Sequence, residues 1–331
     1  MRKINGQPVE AITDISDTAG GEVLKWDAST GKMVWELQDS TSYVPILWYG
    51  DRGVFTGGTN YAAKTLDYIS ISSAGNATDF GDQTTARWTG DSCSNGSRGV
   101  NGGGATTAWN NVNDMDYITF ATTGNGTDFG NLSVARNFNG ACSDGTKGVW
   151  AGGANTGEVD TIDYVTISTT GDAVDFGNLT AARNTIGGLA DATRGVFAGG
   201  NAASNVIHYI TVASTGNALD FGDLSVALNG CFGCSSTTRG LFNGYPQGDN
   251  NNNGIDYITI QTTGNGTDFG DIANDHSACS TSDATTAVFA GGDSGGDINM
   301  ISQVTIASTG NSTDFGDLTA ARTQASGMSG D

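Results

Sequence analysis

Histidine, proline and basic residues are scarce in this sequence of 331 residues. It contains 2 His, 3 Pro and 14 Lys or Arg against 35 Asp or Glu, and its formal net charge is −21. A surface with that charge repels phosphate backbones, so we expect no nucleic-acid partner. No run of 18 apolar residues is present, so we expect no insertion into a membrane.

Cysteine is also too sparse and too scattered to suggest a disulfide or metal site. The five residues are Cys93, Cys142, Cys231, Cys234 and Cys279. An odd number spread through strand-like segments is not typical of a disulfide framework. Cys231 and Cys234 have C-x-x-C spacing, but no second pair and no neighbouring His completes a zinc site. We therefore predict buried free thiols, no metal and no cofactor.

The sequence is rich in glycine and contains a short motif that is repeated along the chain. Gly accounts for 51 residues, and the triplet Asp-Phe-Gly occurs six times at steps of 49, 47, 45, 48 and 46 residues. The six triplets begin at Asp79, Asp128, Asp175, Asp220, Asp268 and Asp314. A period in this range is typical of repeated units that bury their apolar faces against one another.

Each unit contains four short segments with the composition of β-strands. A slim segment is followed by a Val-Phe-x-Gly-Gly segment, a β-branched segment that contains Tyr, a tight turn and the Asp-Phe-Gly segment. Alternation with a period of two predicts strands, and Gly beside Asn or Asp predicts the turns. Six units of four antiparallel strands predict an all-β, six-bladed β-propeller.

Residue size predicts which strand lies where in a blade. The slim segments at Gly140–Ser143, Gly187–Ala190 and 277–280 suit the crowded innermost position. The Phe of each triplet and the Tyr of the third strand are predicted to pack between blades, where each ring stabilises by roughly 1.5–3 kcal/mol. These tyrosines are Tyr68, Tyr117, Tyr164, Tyr209 and Tyr257.

The two ends of the repeat region predict how the ring closes. The chain enters the first unit at its second strand, near Arg52, and finishes with a slim segment over 325–330 that has no unit of its own. We expect this last segment to be the innermost strand of the first blade. The predicted domains are a leader over 1–42, a linker over 43–50 and the propeller over 51–331.

The order of features within a unit resembles the kelch repeat. An Arg, the slim strand, Val-Phe-x-Gly-Gly, the Tyr strand, the turn and the aromatic strand follow one another as in that family, although Phe80 stands where kelch repeats usually carry Trp. The fifth unit departs further, with Gly244-Tyr245 in place of the Gly pair. The resemblance implies a kelch-like propeller, and it leaves the function open because propellers host many activities.

The leader contains a predicted β-hairpin with Trp26 on one strand and Trp35 on the other. A lone hairpin is marginal in water, so we expect these tryptophans to dock on another subunit or a larger particle. The string Ile-Thr-Asp-Ile-Ser-Asp at 12–17, followed by this hairpin, resembles modules of bacteriophage tail fibres. The repeated wording Thr-Gly-Asn-x-Thr-Asp-Phe-Gly also resembles repeats in virion structural proteins of marine bacteriophages.

This second resemblance implies a virion protein that assembles in the host cytoplasm and is exposed on the particle. It also implies other virion proteins as partners of residues 1–42, a homo-oligomer in the particle, and a host-surface glycan or protein as the target of the propeller.

Candidate ligand residues lie in the stretches where the six units differ most, directly after the Gly pair. Loops are free to carry recognition, whereas strand positions are held by packing. Tyr61, Trp109 and Tyr245 are the aromatic candidates for stacking on a carbohydrate, with simple loop packing as the alternative.

A second set of candidates lies in the connection into each innermost strand. Arg87, Arg136, Arg183 and Arg322 share one slot, which Leu228 and His276 occupy in the other two units. These residues predict a cationic ring at the channel mouth that would bind an acidic sugar or a carboxylate. The alternative is that each Arg pairs with an Asp of its own blade, for example Arg87 with Asp82.

Three functions are compatible with these features. A non-enzymatic virion protein, as a tail fibre, a receptor-binding protein or a decoration module, is the hypothesis we favour. An intracellular kelch-type adaptor is the alternative, although an adaptor needs no leader hairpin. A glycan-active propeller enzyme is less favoured, because His208 and His276 form no ligand set and no carboxylate pair stands out.

Overall fold

The structure of the chain, a computed structural model, describes residues 49–58, 64–106, 108–201, 203–245, 253–273 and 279–331, together with the backbone of four short strands before them. Those strands are β1 (Lys3–Ile4), β2 (Gln7–Pro8), β3 (Glu22–Asp27) and β4 (Lys32–Leu37). The chain divides into two compact units, Met1–Pro45 and Ile46–Asp331.

Two antiparallel pairs make up the described part of the first unit. β1 pairs with β2, and β3 pairs with β4 in a register that sets Trp26 opposite Met33 and Leu24 opposite Trp35. The predicted hairpin is therefore confirmed, whereas the docking role of Trp26 and Trp35 stays a prediction.

The second unit consists of six four-stranded antiparallel sheets arranged in a ring, which confirms the predicted six-bladed β-propeller. Its strands are β5 (Arg52–Thr56), β6 (Thr65–Ser70), β7 (Thr78–Asp82), β8 (Asp91–Ser94), β9 (Arg98–Gly102), β10 (Asp114–Thr119), β11 (Thr127–Asn131), β12 (Gly140–Ser143), β13 (Lys147–Ala151), β14 (Thr161–Thr166), β15 (Val174–Asn178), β16 (Gly187–Ala190), β17 (Arg194–Ala198), β18 (Ser204–Thr211), β19 (Leu219–Leu228), β20 (Gly230–Ser235), β21 (Arg239–Tyr245), β22 (Gly254–Thr259), β23 (Thr267–Asp271), β24 (Cys279–Ser282), β25 (Thr286–Ala290), β26 (Met300–Thr305), β27 (Thr313–Asp317) and β28 (Ser326–Gly330).

The ring closes through the last strand of the chain. The first blade has the order β28-β5-β6-β7, and β28 pairs antiparallel with β5 so that Met328 lies opposite Val54. The innermost strands β8, β12, β16, β20, β24 and β28 contact one another in a closed circuit. Closure by the C-terminal segment is therefore confirmed.

The innermost strands follow the size prediction closely. Gly140–Ser143 and Gly187–Ala190 match the predicted slim segments, but the sixth blade differs, since its inner strand is Cys279–Ser282 rather than 277–280. Residues 277 and 278 lie outside the described residues. All five cysteines are free and buried, which confirms the prediction for the thiols.

The apolar core lies between neighbouring blades. Phe80 of the first blade, for example, packs in one cluster with Ile118 and Phe120 of the second blade. In five blades the Tyr of the third strand meets the triplet Phe edge to face, with ring centroids 5.9 Å apart for Tyr68 and Phe80. The inter-blade packing role predicted for these rings is confirmed, and such geometry adds about 0.5–1.5 kcal/mol to the burial of each pair.

The outer strand of every blade is covered by the hairpin of the next blade, an arrangement we call the hairpin belt. The Gly124 N–H donates to the Phe80 carbonyl (N to O, 2.8 Å), and the Asp82 N–H donates to Asn125 Oδ1 (3.0 Å). The side-chain acceptor recurs in all six blades, as Asn76, Asn125, Asp172, Asn217, Asn265 and Asn311. The belt pairs edge strands that would otherwise be open to aggregation.

The hairpin belt explains why two short sequence motifs recur from unit to unit. Gly81 has φ +147°, and a Cβ at that position would lie 2.4 Å from the Gly124 carbonyl oxygen of the next blade. Only glycine satisfies both conditions. The triplet glycine and the Thr-Gly-Asn turn are therefore two halves of one inter-blade contact.

Within the part of the chain that the structure describes, no helix is long and apolar enough to cross a membrane.

Candidate ligand-binding site at the channel mouth

The candidate site lies where the chain passes from the outer strand of one blade into the innermost strand of the next. Two residues after the Arg slot, the backbone of this connection turns left-handed. The residues there are Thr89 (φ 59°), Phe138 (55°), Thr185 (55°) and Gln324 (54°). A left-handed conformation is rare for residues other than Gly, Asn and Asp, and it is an outlier for a β-branched Thr.

These left-handed residues link the connections of neighbouring blades. The Thr89 N–H donates to the Gln324 carbonyl (3.1 Å), Phe138 to Thr89 (2.7 Å) and Thr185 to Phe138 (2.7 Å). The Cys231 N–H then donates to the Thr185 carbonyl (3.1 Å). Positive φ turns the amide groups along the circumference, so the hydrogen bonds partly offset the strain of the backbone.

A cavity of about 350 Å³ lies inside this hydrogen-bonded rim and is lined by residues of all six innermost strands. One wall, here called the aromatic arc, comes from blades 3 to 5 and contains Phe138, Ile186, Phe232 and Tyr245. The opposite wall, here called the polar arc, comes from blades 6, 1 and 2 and contains Ser280, Gln324, Ser326, Thr89, Asp91 and Ser92. The size and the two-sided polarity are those of a small-ligand pocket.

Asp91 is the acid of the polar arc, and it joins three innermost strands. Its carboxylate accepts hydrogen bonds from the Ser92 N–H (2.9 Å), the Ala141 N–H (2.6 Å) and Ser326 Oγ (2.8 Å). Burial raises the pKa of Asp91 to about 6, although these three donors act in the opposite direction. The carboxylate is therefore mainly ionised at neutral pH and takes up a proton in mild acid.

Tyr245 enters the aromatic arc through two coordinated departures in the fifth blade. It replaces the second Gly of the Gly pair, and its ring lies over Gly230, where a Cβ would come within 2.4 Å of it. Gly230 in turn stands at the position where the four connections described above carry their left-handed residue. Burial raises the pKa of Tyr245. The structure places Tyr245 in the cavity wall, and ligand binding by it stays a prediction.

Two side-chain amides beside the cavity are only partly satisfied. Asn139 is 4% exposed and donates through Nδ2 to the Gly102 carbonyl (3.3 Å), but its Oδ1 accepts no hydrogen bond from the described residues. Gln324 Oε1 is likewise withdrawn from solvent, and no described residue donates a hydrogen bond to it. Buried acceptors of this kind mark places where a ligand or water completes the hydrogen bonding.

The predicted cationic ring needs correction, because three of its arginines lie inside the protein. Arg87, Arg136 and Arg322 are 0–1% exposed and pair with Asp116, Asp163 and Asp67. The Nη2–Oδ2 distance is 3.1 Å for Arg136 and Asp163. A guanidinium withdrawn from water needs a carboxylate partner, and these side chains do not line the cavity.

The partner of each arginine also differs from the alternative that the sequence suggested. Arg87 contacts Asp116 of the following blade rather than Asp82 of its own blade. Burial lowers the pKa of Arg87 despite Asp116 and Asp114. These arginines are inter-blade clamps, and we do not place a cationic ring at the channel mouth.

The remaining candidates lie away from the cavity or outside the described residues. Arg183 is partly buried and hydrogen-bonded to Ser204. Trp109 is 58% exposed and packs on Trp88 with ring centroids 4.0 Å apart, and it is not part of the cavity wall. Tyr61 and His276 lie outside the described residues.

Sequence reasoning missed the left-handed residues and Asp91. A signal was present, since the position two residues after the Arg slot reads Thr, Phe, Thr, Gly, Ala and Gln in the six units, while the strands around it agree. Phe and Gln are not residues that announce a left-handed turn, so the backbone geometry could not be predicted.

Comparison with protein-family models found no match, and comparison with curated proteins found none. The likenesses to the kelch repeat and to bacteriophage proteins therefore remain resemblances between short sequence motifs. The evidence for the propeller architecture comes from the structure alone. No group of three or more potential metal-ligating side chains is found among the described residues.

Proposed function

We propose that this chain is a non-enzymatic structural protein of a bacteriophage particle, as a tail fibre, receptor-binding protein or decoration module, and that its propeller recognises the host surface. One observation of the structure supports the recognition part of the proposal, whereas the virion part rests on the resemblance of the sequence alone. The contacts that hold the blades together recur from unit to unit, whereas the residues that line the channel-mouth cavity differ between units. A constant scaffold around a varied cavity is the arrangement that recognition requires.

The leader supplies the anchor in this proposal. The β3–β4 hairpin has too few strands to be stable alone, so it gains stability by docking on other virion proteins or on copies of itself. Trp26 and Trp35 lie on its two strands and are the residues we expect to anchor it, because tryptophans dominate the binding energy of many interfaces.

Deletion of residues 1–42 tests the anchor. We expect the truncated chain to remain a folded propeller, because the described contacts of Ile46–Asp331 form a compact unit of their own, and we expect it to be absent from purified particles. A full-length chain with Trp26→Ser and Trp35→Ser is the matched variant, which removes the proposed contacts at constant length. Incorporation of both variants at wild-type levels would place the anchor elsewhere.

Imaging of particles purified from the source tests the virion role itself. We expect a six-bladed density displayed on the outer surface, with the loops that follow the Gly pairs facing outward. Detection of the chain only in the soluble host fraction would overturn the virion role and favour the intracellular adaptor.

A further inference from the structure

Four residues other than glycine hold strained, left-handed backbone conformations at the channel mouth. The chain contains 51 Gly and uses glycine at most of its positive-φ positions. Of the seven other described residues with positive φ, four are Thr89, Phe138, Thr185 and Gln324. Each conformation of this kind costs about 1–3 kcal/mol. The interactions of these side chains must therefore offset a conformational cost that glycine at the same positions would not incur.

Local hydrogen bonds account for the two threonines. Thr89 Oγ1 donates to the Trp88 carbonyl (2.6 Å), and Thr185 Oγ1 donates to the Asn184 carbonyl (2.7 Å). Phe138 and Gln324 have no such local bond among the described contacts, and both residues line the cavity. Their strain has no structural compensation of this kind, which points to a ligand.

The cavity wall specifies the chemistry of that ligand. The aromatic arc offers Phe138, Phe232 and Tyr245, all partly exposed, while the polar arc and Asn139 offer mainly hydrogen-bond acceptors. A ligand that suits both walls has an apolar face and several hydroxyl donors on its edge. The volume of about 350 Å³ accommodates a unit the size of one sugar ring.

Charge narrows the ligand further. The described lining residues include no Lys or Arg, so a carboxylated sugar would face Asp91 without a cation to neutralise it. Asp91 already accepts three hydrogen bonds from the protein, so most of its acceptor positions are occupied and little is left for a ligand ammonium group. An uncharged ring is the species that neither wall opposes.

We infer that the channel mouth binds one uncharged pyranose ring of a glycan, with its C–H face on Phe138 and Phe232 and its hydroxyls hydrogen-bonded to the side-chain amide of Gln324 and to the rest of the polar arc. This inference rests on the proposed recognition function and names the class of its target. It also replaces the acidic ligand that the arginine slot suggested.

Saturation-transfer NMR with the purified full chain tests the inference. The probes are the methyl glycosides of glucose, galactose and mannose, with methyl glucuronide and methyl glucosaminide as their charged counterparts. We expect transfer to the ring C–H protons of at least one neutral glycoside at millimolar concentration, and weaker signals from both charged probes. Absence of transfer to all three neutral probes, or a preference for either charged probe, would overturn the inference.

Glycine substitutions separate recognition from folding, because glycine relaxes a left-handed backbone. We expect Phe138→Gly and Gln324→Gly each to weaken binding of the responding glycoside by about tenfold without lowering the melting temperature. Ala203→Gly is the matched control, since Ala203 has φ 54° and does not line the cavity, and we expect it to bind as wild type does.

The two arcs provide independent readings of the same site. Should Phe138→Gly fail to fold, Gln324→Gly on the opposite wall still decides the outcome. Wild-type binding by a folded Gln324→Gly variant, or an equal loss in Ala203→Gly, would contradict the assignment.

Failure of this inference can be told apart from failure of the proposed function. A chain that is displayed on particles but binds no neutral glycoside keeps the virion role and loses the sugar site. A chain that binds the glycoside but is absent from particles keeps the sugar site and loses the virion role.

Discussion

Blades 1, 2 and 3 each bury an aspartate on the third strand that receives an arginine from the preceding blade, whereas blades 4 and 5 each lack one member of that pair and blade 6 lacks both. The intact pairs are Arg322–Asp67, Arg87–Asp116 and Arg136–Asp163. In the other half, His208 and Ser302 replace the aspartate of blades 4 and 6, and Leu228 replaces the arginine that would face Asp256 in blade 5.

The two halves nevertheless share the hairpin belt and the strand order. The comparison therefore separates the contacts that every blade needs to fold from contacts that only some blades have. Backbone pairing, the belt and inter-blade apolar packing occur throughout, so they set the fold. The ion pairs are additions, since the desolvation of two buried charges offsets most of their attraction.

Removal of one carboxylate from each half tests this comparison with the largest expected effect. Asp163→Ala leaves Arg136 as a buried cation without its carboxylate partner and should lower the free energy of unfolding by about 3–5 kcal/mol. Asp256→Ala removes the same side chain from a blade in which Leu228 occupies the arginine slot, and it leaves two Ser225 hydrogen-bond donors without their acceptor, which should cost about 1–2 kcal/mol. Urea denaturation measures both, and equal losses would show that the arginines contribute nothing distinctive.

Acid should affect the fourth blade through His208. This side chain is 1% exposed, and burial, with a smaller contribution from Arg183, lowers the pKa of His208 to about 4. The unfolded state, with a pKa near 6.5, binds the proton first, so stability is full above pH 6.5 and falls as the pH drops to about 4. We expect a loss of up to about 3 kcal/mol over that window.

The matched variant for this titration is His208→Asn, which keeps a polar group beside Thr180 but does not titrate. Denaturation of both proteins at several pH values isolates the histidine, because the opposite trend of Asp91 is present in each. A constant difference between the two proteins from pH 7 to pH 4 would exclude His208 as the cause.

Repair of the fourth blade should have a smaller effect of opposite sign. His208→Asp restores the residue found at this position in blades 1 to 3 and offers Arg183 a carboxylate. Substitutions toward an internal consensus typically add about 0.5–2 kcal/mol. We expect a higher melting temperature at pH 7, and a lower one would mean that Arg183 cannot reach the inward position of its equivalents.

The smallest effect concerns the opposite face of the ring. In five blades a cation at the start of the second strand lies over the third-strand Tyr, for example Arg98 4.1 Å from the Tyr117 centroid, whereas blade 6 has Thr286 and Gln303. The double variant Thr286→Arg, Gln303→Tyr should show a coupling of about 0.5–1 kcal/mol in a double-mutant cycle. Zero coupling would mean that these pairs in the other blades only fill space.

The propeller could be predicted from the sequence because the contacts that recur in each blade appear as residues that recur in each unit. The triplet glycine, the turn Asn and the third-strand Tyr each have a role that must be filled in nearly every blade, so they appear as repeated words. The strand order and the closing strand were predictable for the same reason.

The site was predicted only in part, because its residues are those that the repeat does not constrain. Tyr245 drew attention as a departure from the Gly pair. The arginines recur between units in the same way as residues that hold the blades together. Their charge suggested a ligand-binding role because a sequence does not show that a side chain in a connecting segment is buried. Phe138 and Gln324 gave no local signal, since their left-handed backbone depends on hydrogen bonds between blades.

The closing strand has a consequence for how the protein is made. β5 and its partner β28 are about 270 residues apart, and at typical rates of translation roughly 14–54 s separate their appearance from the ribosome. During that interval the inner edge of β5 has no native neighbour, and an unpaired edge invites association between nascent chains. A polypeptide cut short by even its last few residues keeps that edge open, so the ring completes itself only in chains that were synthesised through to β28.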